Sequence, residues 1–488
     1  MGSVMKFQIM LVLVCVMFTG PVASVELLGH TSQSGGKVLR LIRNDKLDLI
    51  LPGAMRDNNV DMWIHVTRRG DPDPMVLQFG ATYGYLVFTD LGDRIERAVF
   101  GGAGSVEKID VRGSAAISRA LSSYDAGYRM AEGYGDEVYG EFREFVAEHD
   151  PQTIAVNTSD WLAVADGISH SSYRKLVEIL GPKYSERIVS AENVITDFVV
   201  RRTAREVTAQ TNTLEISRQI VAEALSRIKP GVTTIREITW WAMEEAFKRG
   251  LSEYRTWSPG GIRVYYSEKS PPTTVPNSRW WIVHGDYAFQ RGDFFAFNVG
   301  VRYMGFGTDT KTHAYILREG ETGVPESIQY AFDQAIKGQW IMRDHIRVGM
   351  TGGEALDAVV SAMEKAGYIY TPFTNSSVGS SMMEDSPDQD YVIIQKALAD
   401  TDKSGFYVDH HSFGNTGVVG PSLSPFRPDV HHLVIQENHI FAYEYAVHTN
   451  LPERPGFPMS INISNPQIVT GRGVEFLQPP NEKIVLIN

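Results

Sequence analysis

One helix-entry signature occurs twice in this chain, and its repetition narrows the folds open to it. Gly231-Val-Thr-Thr leads a helical stretch that stops at Gly250, and Gly349-Met-Thr-Gly leads another that stops at Gly367, intervals of 19 and 18 residues. At the first, Thr234 and Glu237 form a capping-box pair. Each unit follows another long helical stretch. The earlier one runs from about Thr203 to Ile228, with Leu214, Val221, Leu225 and Ile228 at near-heptad spacing, and Lys229-Pro230-Gly231 stops it. The later one covers 326–346. Two helix pairs separated by β-rich sequence imply an internally duplicated α+β domain over 203–488. Chance likeness of two amphipathic helices is the alternative, and the match of both entry and exit signals favours duplication.

The sequence before Arg202 has a different rhythm. Short apolar runs at 60–66, 85–88, 97–100 and 153–156 read as strands, and 101–104 as a turn. A helix is expected over 171–180, with Tyr173, Leu176, Val177 and Leu180 on one face. Strands alternating with helices point to an α/β domain with a mixed or parallel sheet over 25–202. Gly102-Ala103-Gly104 lacks the third glycine of a dinucleotide fingerprint. No His-Glu-x-x-His, Gly-x-Ser-x-Gly or phosphate-loop pattern occurs anywhere in the chain.

Composition excludes several function classes. A chain of 488 residues with 43% hydrophobic and 21% charged residues is globular and too long for one core. Its formal net charge of −12, without a long basic run, argues against a nucleic-acid surface. Lys6, the apolar run Ile9 to Phe18 and the small residues around Ala23 and Ser24 read as a signal peptide over 1–24. An uncleaved anchor is the alternative, but the run is short for a bilayer. The expectation is a secreted or exported protein, periplasmic if bacterial, with no stable membrane span. Cys15, the single cysteine, lies in that signal, so no thiolate chemistry or disulfide is expected in the mature chain. Glycosylation-type triplets begin at Asn157, Asn375 and Asn462.

Chemistry-bearing side chains gather in the β-rich sequence. A strand at 294–299, a turn at 300–307 and a returning strand at 308–317 form a hairpin whose Asn298 and Asp309 face each other. Next come His410 and His411, then Glu444 in an aromatic strand. A carboxylate there needs a partner, either a metal or a basic group such as Arg302 or Lys311. Plainer readings exist for each: Asp309 as a turn residue, His411 as a backbone-bonded histidine. Trp240, Trp241, Trp257, Trp280 and Trp281 read as core and rim packing, with an aromatic pocket wall as the lesser reading.

Several stretches carry a resemblance: MRDNNVDMWIHVTR, ADGISHSSYRKLVEILGPKYSERIVSAE, KPGVTTIREITWWA and GVRYMGFGTDTKTHAYILREGET. Together they make the chain similar to the pita-bread metallohydrolases, the family of aminopeptidase P, prolidase, creatinase and methionine aminopeptidase. It looks most like bacterial Xaa-Pro aminopeptidase-like proteins. The resemblance implies an α/β class fold, with an N-terminal creatinase-like α/β domain followed by an internally duplicated pita-bread α+β domain. It also implies a two-metal centre held by two aspartates, one histidine and two glutamates.

Carried over position by position, the family's first aspartate falls on Asn298 and its second on Asp309, eleven positions on. The histidine falls on His411, the first glutamate on Glu444 and the second on Ser464. The stretch 458–470 contains no acid, so no shift of register restores the last. Asp309, His411 and Glu444 therefore remain as metal-ligand candidates, with Asn298 and Ser464 as degenerate positions. The set suits one divalent ion at most, or none, and an ordinary histidine would release it below about pH 6.5. The family's two substrate-side histidines are also replaced, by Ser258 or Pro259 and by Val418. Three functions follow from the resemblance: a one-metal hydrolase of a peptide or small amide, a metal-free creatinase-like enzyme on a small nitrogenous substrate, or a non-catalytic pseudoenzyme that binds a peptide or partner in the old cleft. A homodimer is expected by the same analogy.

Overall fold

Alternation along the first half builds one sheet with two buried faces. A computed structural model describes residues 32–68, 73–79, 84–101, 129–130, 136–253, 261–267, 285–373, 389–413 and 419–488. The expected signal peptide, the turn at Gly102 to Gly104, Trp257, Ser258, Pro259, Trp280, Trp281, Asn375 and Val418 lie outside the described residues. Among the described residues, no helix is long and apolar enough to cross a membrane.

The first sheet has six strands in the order 129–130, 95–100, 84–90, 62–67, 154–156, 188–190. Strand Met62–Thr67 is antiparallel to Gly84–Asp90 and parallel to Ile154–Val156, so the sheet is mixed. Successive side chains of a strand point to opposite faces. Met62, Ile64 and Val66 join the core beneath the helices Asp136–His149 and His170–Ser185. Trp63 joins the opposite core with Phe88 and Phe198. The helix expected over 171–180 continues to Ser185, but with a break at Gly181, where φ is 67° just before Pro182.

The second half carries the recurring helix units. Helices Ala204–Leu225, Ile235–Lys248 and Gly352–Lys365 each begin with a complete capping box, formed by Thr203 with Glu206, Thr234 with Glu237 and Thr351 with Glu354. Helix Glu326–Arg343 completes the second pair. Each helix pair covers its own four-stranded sheet. One sheet runs 485–487, 311–316, 294–298, 261–266, and the other 369–370, 405–408, 444–449, 459–464. A further sheet runs 411–412, 439–442, 467–470, 473–476.

The expected turn over 300–307 is more ordered than a turn. Val301–Tyr303 and Phe306–Gly307 pair as a small hairpin. Met304 and Gly305, its two central residues, both have positive φ, as a tight two-residue hairpin turn requires. Trp240 departs from the core reading, being 55% exposed. Trp241 is partly buried and lies under the Arg227 guanidinium, 4.2 Å from its ring centre. Asn157 and Asn462 are buried and hydrogen-bonded through their side chains, so two of the glycosylation-type triplets present no accessible amide.

Lys46 ties the N-terminal helices to the start of helix Ala204–Leu225. Its ammonium lies 3.0 Å from the Glu206 carboxylate and also donates to the Arg201 carbonyl, with both side chains buried. Burial pushes the Lys46 amine down to about 8 in spite of Glu206. Glu206 also accepts the Thr203 backbone N–H at 2.8 Å, so one carboxylate serves both the cap and the cation. Glu206→Gln is expected to cost about 3 kcal/mol in denaturant unfolding. That is the low end for breaking a buried pair, because Lys46 can shed its proton. A loss below about 0.5 kcal/mol, the range of an ordinary surface change, would show that the pair does not hold this junction.

Candidate active site

Strand ends bring the singled-out side chains together. Asn298 closes strand Phe294–Asn298 and pairs in register with Lys311, which opens Lys311–Ile316. Asp309 precedes that strand by two residues. Glu444 opens Glu444–Thr449 and pairs with Ser464, the last residue of Met459–Ser464. His411 opens a short strand and pairs with Ala442. The two helix-covered sheets meet at Asn462. Its carbonyl accepts from His313 Nε2 at 3.0 Å and from the Tyr265 hydroxyl at 3.3 Å, and its side-chain oxygen accepts from Arg263 at 3.2 Å.

The convergence forms a closed ring of alternating charge. Lys311 Nζ is 2.9 Å from Glu444 Oε1 and 3.8 Å from Asp309 Oδ1. His411 Nε2 is 3.6 Å from Glu444 Oε2 and 3.8 Å from Asp309 Oδ2. Each carboxylate thus gives one oxygen to the lysine and the other to the histidine. Asn298 Nδ2 donates to Asp309 Oδ1 at 2.8 Å, so the expected facing of these two residues is present. Its Oδ1 is buried with no hydrogen-bond partner among the described residues. Ser464 Oγ donates to the Asp309 backbone carbonyl at 3.0 Å, a scaffold bond rather than a ligand position.

Charges in the ring set its protonation. Burial alone would lower the His411 imidazole, but the Glu444, Asp409 and Asp309 carboxylates outweigh it and raise His411 to about 9. Burial would raise Glu444, but Lys311, His411 and Arg263 hold it well below the usual carboxylate range. Asp409 is pushed up to about 7, first by burial and then by Glu444. It accepts from Ser424 Oγ at 2.5 Å, and its backbone N–H donates to the Glu444 carbonyl at 2.8 Å. His410, buried and pushed down to about 3, donates from Nδ1 to the same carbonyl at 2.7 Å.

Sequence reasoning missed Asp409. Its only signal was its position two residues before His411. Of the two basic partners considered for Glu444, Lys311 is the one that meets it. The expectation that His411 behaves as an ordinary histidine does not hold, because three carboxylates surround it.

Asp309, His411 and Glu444 offer ligand atoms within 4.8 Å of one another, close enough by geometry to hold a metal ion. The charge around them does not fit a dication. Lys311 already neutralises the carboxylate oxygens on one side, and the fourth and fifth positions hold a neutral amide and a hydroxyl.

A family model for metallopeptidase family M24 matches residues 209–470. No curated protein matches the chain by sequence. Three solved structures illustrate the likeness in fold. The X-Pro aminopeptidase of Thermotoga maritima is 16% identical with a TM-score of 0.57, over 89% of this chain and 100% of that one. The Xaa-Pro dipeptidase of Bacillus anthracis is 15% identical with a TM-score of 0.54, over 94% and 100%. The N-terminal domain of the FACT complex subunit SPT16 from Cicer arietinum is 11% identical with a TM-score of 0.51, over 92% and 99%. A peptidase fold and a FACT subunit domain thus share this architecture.

The raised His411 imidazole has a consequence for stability. Its pKa is about 9 in the folded chain and about 6.5 in an unfolded one. The stabilisation is therefore fully present below pH 6.5 and is lost as pH rises through 9. Asp409 contributes in the same direction, but at lower pH, between its unfolded value and about 7. Lys46, pushed down to about 8, works in the opposite sense over the same range, so the His411 contribution is read as a difference: urea unfolding of the wild type should lose about 2 kcal/mol more between pH 7 and pH 9.5 than that of His411→Gln. An equal slope in both proteins would remove His411 as its source.

Proposed function

The chain belongs to metallopeptidase family M24, and from that premise we propose that it is a divergent, metal-independent member acting by acid–base chemistry on a peptide or small nitrogenous substrate. The observation that carries the reading is the ring around His411, whose Nε2 lies 3.6 Å from Glu444 and 3.8 Å from Asp309, carboxylates that raise the imidazole to about 9 against its burial. Amide cleavage needs a proton delivered to the departing nitrogen. His411 Nε2 holds such a proton, and Glu444 and Asp309 stabilise the charge. Asp409, at about 7, is a second proton reservoir beside Glu444. Asn298 Oδ1, without a hydrogen-bond partner among the described residues, is suited to accept an N–H of an amide or amine ligand.

A single-metal hydrolase is the second reading, and the three ligand atoms within 4.8 Å favour it. Chelator-treated protein, assayed against Xaa-Pro peptides and a panel of small amides with and without added Mn²⁺, Co²⁺ and Zn²⁺, separates the two. The expected result is turnover that survives chelation and falls at least about a hundredfold in His411→Gln. Release of an Xaa-Pro product only on metal addition would overturn the proposal. Saturable binding with no turnover would replace it with a binding role in the same cleft.

We also propose that the chain is exported and dimeric, with a domain boundary near Arg202. Lys6, the apolar run after it and the small residues before Val25 support export, and the change of pattern at Thr203 supports the boundary. Dimerisation rests on analogy with creatinase and aminopeptidase P relatives. N-terminal sequencing of the secreted product should begin near Val25, and light scattering should give twice the chain mass. An intact Met1 in a cell-retained protein would remove the export claim, and a monomer mass the dimer.

A further inference from the structure

Lys311 is an unusual residue to find at the bottom of an acidic cluster. It is 3% exposed, and a lysine ammonium is buried so completely only where fixed partners replace its water. Two carboxylates do so here, Glu444 Oε1 at 2.9 Å and Asp309 Oδ1 at 3.8 Å. They come from different sheets, one carried by the strand that Glu444 opens and the other by the loop entering Lys311–Ile316. A metal bridging Asp309 and Glu444 would need the same two oxygens, or would have to sit within a few ångströms of a fixed positive charge. Arg263, 3.9 Å from Glu444 Oε1, adds a second cation on that side.

We propose that Lys311 is a built-in countercation that takes the place of a divalent ion between Asp309 and Glu444 and keeps metals out of the centre. The proposal deepens the metal-independent reading and rests on the same site. The strand register makes it specific. Lys311 pairs with Asn298, and a shift of one residue would turn its side chain to the other face of the sheet. The same register sets Asn298 beside Asp309, so a neutral amide and an ammonium arrive together where a second acid and a metal would otherwise be needed. A methionine at position 311 would keep most of the side-chain volume and leave both carboxylates without that charge. The three ligand atoms would then face a site of net negative charge.

Cobalt(II) alone is a suitable probe, because its visible absorption reports coordination by nitrogen and oxygen donors. Wild type, Lys311→Met and Lys311→Arg are each titrated with Co²⁺ at pH 8 and followed by absorption and by calorimetry. Lys311→Met is expected to take up one equivalent at least about a hundredfold more tightly than wild type, since a unit charge a few ångströms from a dication is worth that much or more. Lys311→Arg, which keeps the charge, should behave as wild type. Adding His411→Gln to Lys311→Met should abolish the absorption band. Circular dichroism checks that each variant is folded. If Lys311→Met does not fold, the wild type still decides the matter: its melting temperature should not move with Co²⁺, and a rise with one tight equivalent bound would overturn the proposal. A folded Lys311→Met that gains no affinity would overturn it as well. Wild-type turnover measured in parallel keeps the two ideas apart. A metal-excluding wild type that cleaves no amide refutes the proposed function and leaves the role of Lys311 standing. A metal-free, active wild type with an unresponsive Lys311→Met refutes the role of Lys311 and leaves the function standing.

Discussion

Glu444 cannot sit where it does without Lys311. A carboxylate at the start of an aromatic strand, 12% exposed, would by itself be strongly destabilising, and the ammonium at 2.9 Å is its nearest countercharge. Several features follow from that contact. It joins a strand of one helix-covered sheet to a strand of the other. It leaves Glu444 Oε2 free to face His411, which is then held protonated. Burial and then the Glu444 charge push the Asp409 carboxyl up to about 7, while His411 and Lys311 pull it the other way. Glu444, His411 and Asp409 therefore influence one another's protonation, and Lys311 packs among them.

Much of the architecture was legible in the chain. Thr234 with Glu237 announced a helix start, because a capping box is a local device that needs no tertiary context, and Gly349-Met-Thr-Gly announced a second, where the structure forms the same device from Thr351 and Glu354. The facing of Asn298 and Asp309 was legible for a similar reason, since a hairpin converts sequence spacing into cross-strand neighbours. Trp240 was not legible: its helix is amphipathic, but nothing in local periodicity says that this large apolar residue stays 55% exposed. Nor was the small hairpin within 300–307, where a methionine adopts a positive φ that its residue type does not favour.

The site was legible in its members but not in its chemistry. Asp309, His411 and Glu444 could be named from resemblance, and Lys311 from the need for a basic partner. The resemblance assigned them to a metal; it carries positions and not the charges around them. A lysine two residues from an aspartate in a strand-entry sequence is unremarkable until the pairing of Glu444 with Ser464 brings the second carboxylate beside it. Asp409 was missed because its altered protonation comes from burial and from Glu444, thirty-five positions away. Sequence carries neither burial nor distance, and both are needed to know whether a carboxylate is a ligand, a proton donor or half of an ion pair.

Duplication places this centre in a seam between two helix-covered sheets. In a seam between two sheets, something must hold the facing strand ends in place. Here Asn462 does much of this, with its carbonyl accepting from His313 and Tyr265 and its amide oxygen from Arg263. His313 is pushed down to about 3 by burial, so this bond does not change over the physiological range. Asn462 is two residues from Ser464 on the same strand, and Ser464 in turn bonds the Asp309 backbone. The hydroxyl at position 464 therefore secures the loop that carries Asp309, at a place where the family resemblance puts a metal-binding acid. Hydrogen bonds and one buried ion pair thus connect the two helix-covered sheets across the seam. On the proposed reading, that connection keeps Asp309, His411 and Glu444 together while Asn298 and Ser464 occupy the two positions beside them.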